Sequence, residues 1–121
     1  MGKTVIIGSV PKPNRYAYQA ATMLEDRDLE FVPMGIQSGQ VLGKEILNVY
    51  DKPKIDDVDT ITLYINPSRQ KEWYDYMISL SPKRIIFNPG TENQTFQSMA
   101  GKAGIECVEA CTLVMLSTGV Y

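Results

Sequence analysis

The chain has 121 residues, of which 44% are hydrophobic and 21% are charged, and its formal net charge is −2. This length predicts a single domain, residues 1–121, that buries its own core. The weakly acidic balance argues against a nucleic acid partner, because nucleic acids usually recruit a basic patch. No apolar run is long enough to span a membrane and no charged-then-apolar leader is present, so we expect a cytoplasmic protein.

The chain contains no histidine, which narrows the chemistry open to it. Without histidine, a zinc site and a Ser–His or Cys–His nucleophile are disfavoured, and we predict neither catalytic nor metal-binding residues. On one extended strand, Cys107 and Cys111 would lie about 13 Å apart. A disulfide needs Cα atoms within about 7 Å, so we expect reduced thiols.

The first βα unit carries the strongest signal of a ligand site. Residues 4–7 form a short β-branched run that predicts a buried strand, followed by a turn at Gly8 and Ser9 and a helix over Tyr16–Asp26. Gly8 would let the backbone approach a ligand, Ser9 and the helix start would face a phosphate, and Arg15 has a guanidinium suited to phosphate oxygens. The alternative is that Gly8 only turns the chain and Arg15 is a solvated surface charge.

The first βα unit lacks the sequence motifs of two common nucleotide-binding sites. The second and third glycine positions of the dinucleotide fingerprint hold Val10 and Pro13. The second strand, predicted at residues 29–32 and ended by Pro33, has no acidic residue at its tip to hold a ribose. No Walker A loop occurs in the sequence. An NAD-binding domain is therefore only an alternative.

The rest of the chain alternates strands with helices. Residues 37–59 lack periodicity and predict a loop, with at most a short strand or helix, in place of a crossover helix. The later predictions are a strand at residues 60–65, a helix capped by Ser68 and ending near Leu80, a strand at Arg84–Phe87, a helix capped by Thr91 and ended by Gly104, a strand at residues 105–110 and a short helix at residues 113–116. The aromatic stripe of Trp73 and Tyr76 is expected in the core or at a subunit interface. This alternation predicts an α/β fold, a single Rossmann-like doubly wound domain with a five-stranded, mostly parallel sheet.

The carboxyl ends of the predicted strands share one character. Ligands bind at this edge of a parallel sheet, and the ends here are small, apolar, proline-containing or amide-bearing. They hold no carboxylate pair, so the edge does not suit acid–base catalysis. It suits an extended, partly apolar ligand held by backbone groups.

The sequence at and around these strand ends resembles that of the small stand-alone coenzyme A-binding proteins. The single domain of those proteins is similar to the N-terminal domain of the succinyl-CoA synthetase α subunit. The resemblance rests on residues 7–9, Pro13, Arg15, Tyr16, Val32, Pro33, residues 43–46, residues 58–60, Asn66, Pro67, the run PKRIIFNPGTE at 82–92, and residues 109–113. It spans nearly the whole chain.

The resemblance implies the course of a bound CoA molecule. The CoA phosphates are expected to contact Gly8, Ser9, Val10 and Arg15. The adenosine is expected to lie against Pro33, Met34 and Ile36. The nucleotide and pantetheine are expected to pass Ile65, Asn66, Pro67, Asn88, Pro89 and Gly90. Cys111 is expected near the thiol end.

The resemblance also implies what this chain does not do alone. The related ligases use a phosphorylated histidine from a second domain and a partner subunit, and this sequence has no histidine. We therefore expect a non-catalytic protein that binds CoA or acyl-CoA, as a monomer or homodimer. An enzyme that uses a nucleotide-type ligand, with Cys111 as nucleophile, is the alternative. A cysteine at a helix start suits that role, but it is more often a small packing residue.

Overall fold

The computed structural model describes residues 2–121 and has an α/β architecture. Its elements in chain order are β1 (Lys3–Ile7), α1 (Tyr16–Asp26), β2 (Phe31–Gly35), β3 (Gln40–Val41), β4 (Lys44–Glu45), β5 (Leu47–Asn48), a 3-10 helix (Val49–Asp51), β6 (Val58–Leu63), α2 (Pro67–Gln70), a second 3-10 helix (Lys71–Trp73), α3 (Tyr74–Ser79), β7 (Arg84–Phe87), α4 (Gln94–Lys102), β8 (Glu106–Glu109) and α5 (Thr112–Thr118). No helix in this part of the chain is long and apolar enough to cross a membrane.

Six strands form one parallel sheet in the order β5-β2-β1-β6-β7-β8, and β3 and β4 form a separate antiparallel hairpin. The chain runs outward from β1 to β2, returns to the other side of β1 as β6, and continues outward. The predicted α/β, Rossmann-like fold is therefore confirmed. The sixth strand, β5, has two residues and is too short to leave a periodic pattern in the sequence.

The sheet has an apolar cluster on each face, because alternate strand residues point to opposite sides. The first cluster combines Met77 of α3 and Phe96 of α4 with the sheet residues Val5, Ile7, Ile61, Leu63, Ile85 and Phe87. The second combines Ile6 with Ala17, Ala21 and Leu24 of α1. The small alanines let α1 pack closely on the sheet.

The aromatic stripe belongs to the first of these clusters. Trp73 is 6% exposed and Tyr76 is 7% exposed, and both pack among its buried residues. Of the two roles predicted for this stripe, the structure shows core.

Pro33 lies inside β2, so the prediction that it ends the strand is wrong. It pairs in register with Ile6 of β1. The carbonyls of Glu30 and Met34 accept hydrogen bonds from β1 and the turn after it, so the backbone of Pro33 faces the opposite edge. On that edge β5 reaches only the last two residues of β2. The missing N–H of proline therefore costs no ladder bond.

Asn66, not Ser68, caps α2, which corrects the predicted helix start. The Asn66 side-chain oxygen accepts the backbone N–H of Arg69 at 3.1 Å, and the Ser68 hydroxyl donates to the same oxygen at 2.7 Å. Both residue types are good caps, and Pro67 follows Asn66 at the first helical position, where proline fits best.

Asn93, not Thr91, caps α4. Its side-chain oxygen accepts the backbone N–H of Phe96 at 3.0 Å, whereas the Thr91 hydroxyl donates to the backbone carbonyl of Asn88 at 2.8 Å. The predicted stop is confirmed, because Gly104 follows the helix with φ of 82°, a conformation that glycine adopts without strain.

Residues 37–59 contain no crossover helix, as predicted. Their hairpin lies along the edge of β2 and is fixed at two points. The Lys44 ammonium donates to the carbonyl of Phe31 at 2.8 Å and lies 4.2 Å from the centre of its ring. The backbone N–H of Leu42 donates to the hydroxyl of Tyr18 on α1 at 3.4 Å. This segment therefore covers the sheet edge and leads the chain to the 3-10 helix that follows.

Candidate functional site

A cleft of about 580 Å³ opens at the carboxyl edge of the sheet. It lies where the chain reverses direction between β1 and β6, which is the usual ligand position in a doubly wound sheet. Its lining consists of residues 7–10, 35–37, 49–50 and 64–66, together with Arg69, Glu72 and Trp73. The ends of three strands, the first 3-10 helix and the α2 region thus converge on one cavity.

Two glycines allow the turn after β1 to pack tightly against its neighbours. Gly8 has φ of +102°, and a β-carbon there would lie 2.9 Å from the carbonyl carbon of Tyr64. A β-carbon at Gly35 would lie 2.6 Å from the carbonyl oxygen of Ser9. The turn is therefore held between the ends of β2 and β6, and only glycine fits at both positions.

The polar groups of Gly8 and Ser9, the first two residues of this turn, already form hydrogen bonds within the protein. The backbone N–H groups of Gly8 and Ser9 both donate to the carbonyl of Met34, at 2.9 and 3.0 Å. The Ser9 hydroxyl donates to the carbonyl of Ile6 at 2.8 Å, and Ser9 is 2% exposed. Among residues 2–121, the N–H of Val10 has no acceptor. Val10 is therefore the first residue of the turn with a donor left for a ligand.

Tyr50 and Trp73 contribute an aromatic wall to the cleft lining. The rings of Tyr50 and Trp73 meet edge to face, with centroids 4.8 Å apart. Tyr50 is 59% exposed, and Ile36 on the neighbouring loop is 54% exposed. Large apolar side chains left open beside a cavity suit a planar, partly apolar ligand group.

Sequence reasoning did not assign Tyr50 or Trp73 to the site. Tyr50 lies in the loop without periodicity, and its position depends on the pairing of β5 with β2 that precedes it. Trp73 is also part of the core, and its helical spacing favoured the core or a subunit interface over a ligand site. One sequence signal was available, because Asn48 is a good cap and its side chain accepts the N–H of Tyr50 at 2.9 Å.

The charged lining consists of one cation and one anion. Arg69 lies in α2 and Glu72 in the 3-10 helix that continues it, and both side chains are exposed. Arg15 lies outside the lining, as the exposed N-cap residue of α1. The cleft wall therefore carries no net charge.

The structure brings together six of the residues that the sequence placed at the site: Gly8, Ser9, Val10, Ile36, Ile65 and Asn66. Two others, Pro33 and Met34, are buried in β2. Pro67 opens α2, and Pro89 and Gly90 lie in the exposed loop after β7. These residues do not line the cleft, and their contacts with a ligand remain predictions.

Asn88 has a structural position. Its side-chain NH₂ donates to the hydroxyl of Thr62 at 2.7 Å and to the carbonyl of Leu63 at 2.8 Å, and its side-chain oxygen accepts the N–H of Thr112 at 2.8 Å. Asn88 is 3% exposed. Its amide therefore ties β6, β7 and the start of α5 together, and the bond to Thr112 supplies the cap that the side chain of Cys111 does not provide.

The thiols lie away from the cleft lining. Cys107 and Cys111 are free and half-buried, as expected. Burial, reinforced by the charge of Glu106, raises the pKa of the Cys107 thiol, which keeps it protonated at neutral pH. Cys111 is the N-cap residue of α5. Within the described residues, no three His, Cys, Asp or Glu side chains are grouped to hold a metal ion.

Tyr64 lines the cleft and also carries a buried hydroxyl without a partner among residues 2–121. The hydroxyls of Thr62 and Thr112 are nearby, but they bond to each other at 2.7 Å. Burial raises the pKa of Tyr64 to about 12, so the phenol stays neutral at physiological pH and is not a general base.

The sequence matches the CoA binding domain family over residues 2–117. This protein therefore belongs to that family. No curated protein matches the sequence. The crystal structure of an uncharacterized protein is 53% identical, with a TM-score of 0.96, and the match covers 100% of this chain and 98% of the other.

More distant structures share the fold. A hypothetical protein from Pyrococcus horikoshii OT3 is 22% identical with a TM-score of 0.81, and the match covers 95% of this chain and 81% of the other. A protein from Thermus thermophilus is 20% identical with a TM-score of 0.84, covering 99% and 90%. At this identity the likeness speaks for the architecture alone.

Proposed function

We propose that this protein binds CoA or acyl-CoA in the cleft at the carboxyl edge of the sheet and does not transform it. The observation that carries the proposal is that a tight glycine turn and an aromatic wall line the same cavity, in a chain of the CoA binding domain family. Such a cavity offers the backbone N–H of Val10 to a phosphate and an apolar surface to a base.

The pyrophosphate is assigned to the turn at Gly8, Ser9 and Val10. Gly8 keeps the turn free of a side chain, and the N–H of Val10 supplies a donor. Arg69 is the cation of the lining, and its guanidinium can donate two parallel hydrogen bonds to phosphate oxygens. In this assignment Arg69 binds the phosphate, which is the role that the sequence indicated for Arg15.

The adenine is assigned to the wall formed by Ile36, Tyr50 and Trp73. Burial of the exposed side chains of Ile36 and Tyr50 against the base would supply much of the binding free energy, at about 25 cal/mol per Å² of apolar surface. Tyr50 lies in the first 3-10 helix and Ile36 follows β2, and both line the cleft, so both can contact a planar group.

The pantetheine is assigned to the remaining sheet edge, past Asn66 towards the ends of β7 and β8. Asn88, Pro89, Gly90 and Cys111 follow these strands, and the resemblance described above leads to the same course. The protein would then be a carrier or sensor, because the lining offers no buried carboxylate and no histidine for proton transfer.

Calorimetric titration with CoA, acetyl-CoA, NAD and ATP tests this function. We expect CoA to bind and NAD to be inert. Comparable binding of CoA and acetyl-CoA would support a site that holds the nucleotide and leaves the acyl group free. NAD binding without CoA binding would contradict the proposal and would favour the dinucleotide alternative.

The alternative of a Cys111 nucleophile has its own test. Thiol alkylation of a Cys107→Ser variant, followed against pH, reports on Cys111 alone. An alkylation rate with the pH dependence of an ordinary exposed thiol supports a packing role. A thiolate already formed at neutral pH would favour an enzyme.

A further inference from the structure

We propose that the cleft discriminates against the 3′-phosphate of CoA and binds dephospho-CoA, which has a free 3′-hydroxyl, more tightly. Dephospho-CoA differs from CoA only in that phosphate. The inference rests on the proposed function and names the ligand class of the same site. It follows from the distribution of charge along the α2 wall of the cleft, which is formed by Asn66, Arg69 and Glu72.

The polar residues of that wall are ordered along α2 and the 3-10 helix after it. Asn66 begins the wall at the end of β6, and its side-chain oxygen fixes the N–H of Arg69 at 3.1 Å. The neighbouring Ile65 has a side-chain carbon 3.1 Å from the position that a β-carbon of Gly8 would occupy. The wall therefore begins beside the glycine turn, and its cation lies one helical turn further on.

The carboxylate comes next and lies beside the aromatic end. Glu72 follows Arg69 by three residues, or about 4.5 Å along a helix axis, and directly precedes Trp73. Along the chain the cation is thus nearer to Asn66 and the turn assigned to the pyrophosphate, and the anion is next to Trp73 of the wall assigned to the adenine. In these assignments the ribose of a bound nucleotide would lie between the two charged side chains.

The charge of Glu72 is not neutralised by a neighbour. Throughout residues 2–121, the one ion pair within 4.0 Å joins Lys83 and Asp59, at 3.8 Å. Arg69 is the only cationic residue among those that line the cleft in this part of the chain. If Arg69 binds the pyrophosphate, no lining cation is left for a second phosphate group.

The 3′-phosphate of CoA and the free 3′-hydroxyl of dephospho-CoA would then interact differently with Glu72. A phosphate monoester carries close to two negative charges at neutral pH, and a carboxylate beside it repels it. Free ribose hydroxyls instead donate hydrogen bonds to a carboxylate, as in sites where an acidic residue holds the ribose of NAD. Here Glu72 would supply that acidic group from the α2 side of the cleft, although the end of β2 lacks one.

Paired titrations test the inference. CoA and dephospho-CoA are titrated by calorimetry into the wild type, Glu72→Gln and Glu25→Gln. Glu25 lies exposed on α1 outside the cleft lining, so its variant controls for the change in net charge. We expect the wild type and Glu25→Gln to bind dephospho-CoA at least about fivefold more tightly than CoA, because one pair of like unit charges about 4 Å apart in water costs about 1 kcal/mol and the phosphate carries more than one charge. Glu72→Gln should bring this ratio close to one.

Each other result has a defined meaning. Wild-type affinity for CoA equal to or above that for dephospho-CoA overturns the inference and leaves the proposed function standing. An unchanged ratio in Glu72→Gln also overturns it. Failure of both ligands to bind any of the three proteins contradicts the proposed function itself, and the inference falls with it.

Discussion

Gly8 and Tyr64 approach so closely that a β-carbon on Gly8 would lie 2.9 Å from the carbonyl carbon of Tyr64. The contact joins the turn after β1 to the end of β6, the two chain segments between which the cleft opens. The backbones of these two segments therefore pack directly against each other beside the cleft. This packing leaves no room for a side chain at position 8.

Gly8→Ala should destabilise the protein and weaken CoA binding together. A non-glycine residue at φ of +102° is strained by about 1–3 kcal/mol, and the clash with Tyr64 adds to that cost. Gly104→Ala is the matched control, because its φ is +82° and its β-carbon would meet nothing within 4 Å. Chemical denaturation should show a larger loss for Gly8→Ala, and calorimetry should show CoA affinity kept in Gly104→Ala. Equal losses of stability would contradict this account.

Arg69→Ala should weaken CoA binding more than Arg15→Ala. A charge-assisted hydrogen bond contributes about 1.5–3 kcal/mol, so we expect a loss of at least about tenfold for Arg69→Ala. Arg15, outside the lining, should change the affinity by less than about threefold. Titration at low and high salt measures both effects. A larger loss of CoA affinity for Arg15→Ala would indicate that the phosphate binds near Arg15, as the sequence first indicated.

Tyr64 and Tyr76 should respond differently to removal of their hydroxyls. Tyr64 has a buried hydroxyl without a partner among residues 2–121, so Tyr64→Phe should leave the free energy of unfolding unchanged or raise it by about 1–3 kcal/mol. The Tyr76 hydroxyl donates to the carbonyl of Pro53 at 2.5 Å, so Tyr76→Phe should lower it by about 1 kcal/mol. Urea denaturation of both variants distinguishes the cases, and a destabilised Tyr64→Phe would mean that the hydroxyl has a partner.

Alkaline pH should destabilise the protein through Tyr64, in addition to Tyr76, whose pKa burial also raises to about 12. Burial raises its pKa from 10.0 to about 12 in the folded state, whereas the unfolded chain keeps a pKa of about 10. Below pH 10 both states hold the proton and stability does not change. Between pH 10 and 12 the unfolded state loses its proton first, so the free energy of unfolding falls as pH rises. Tyr64→Phe should show a shallower fall, and an identical slope would contradict this assignment.

The fold could be predicted from the sequence because its signals are local and strong. The β-branched runs that become β1, β6 and β7 stand out from their surroundings, and α1 was predicted with the bounds that the structure has, Tyr16–Asp26. The strand through Pro33 was cut short because a sequence does not reveal which edge a proline nitrogen faces. Helix caps were misplaced by two residues where adjacent Ser, Thr and Asn side chains compete for the same role.

The position of the cleft could be predicted where its lining depends on strand ends, but not where its lining depends on tertiary placement. Gly8, Val10 and Asn66 follow directly from the ends of β1 and β6. Tyr50 reaches the cleft through a two-residue strand that leaves no periodic pattern in the sequence. The sequence also does not reveal the hydrogen bonds of Asn88, because its buried partners are distant in sequence. A strand end locates a cavity, but it does not show which polar groups the protein has already satisfied.

Trp73 fluorescence tests the central claim most directly, because the chain has one tryptophan and it lines the aromatic wall. The protein is titrated with CoA and, in parallel, with 4′-phosphopantetheine, which lacks the adenosine. We predict that CoA changes the Trp73 emission saturably, at the concentrations at which calorimetry detects binding, and that phosphopantetheine leaves the emission unchanged. CoA binding by calorimetry without a change in Trp73 emission would place the adenine elsewhere and contradict the account.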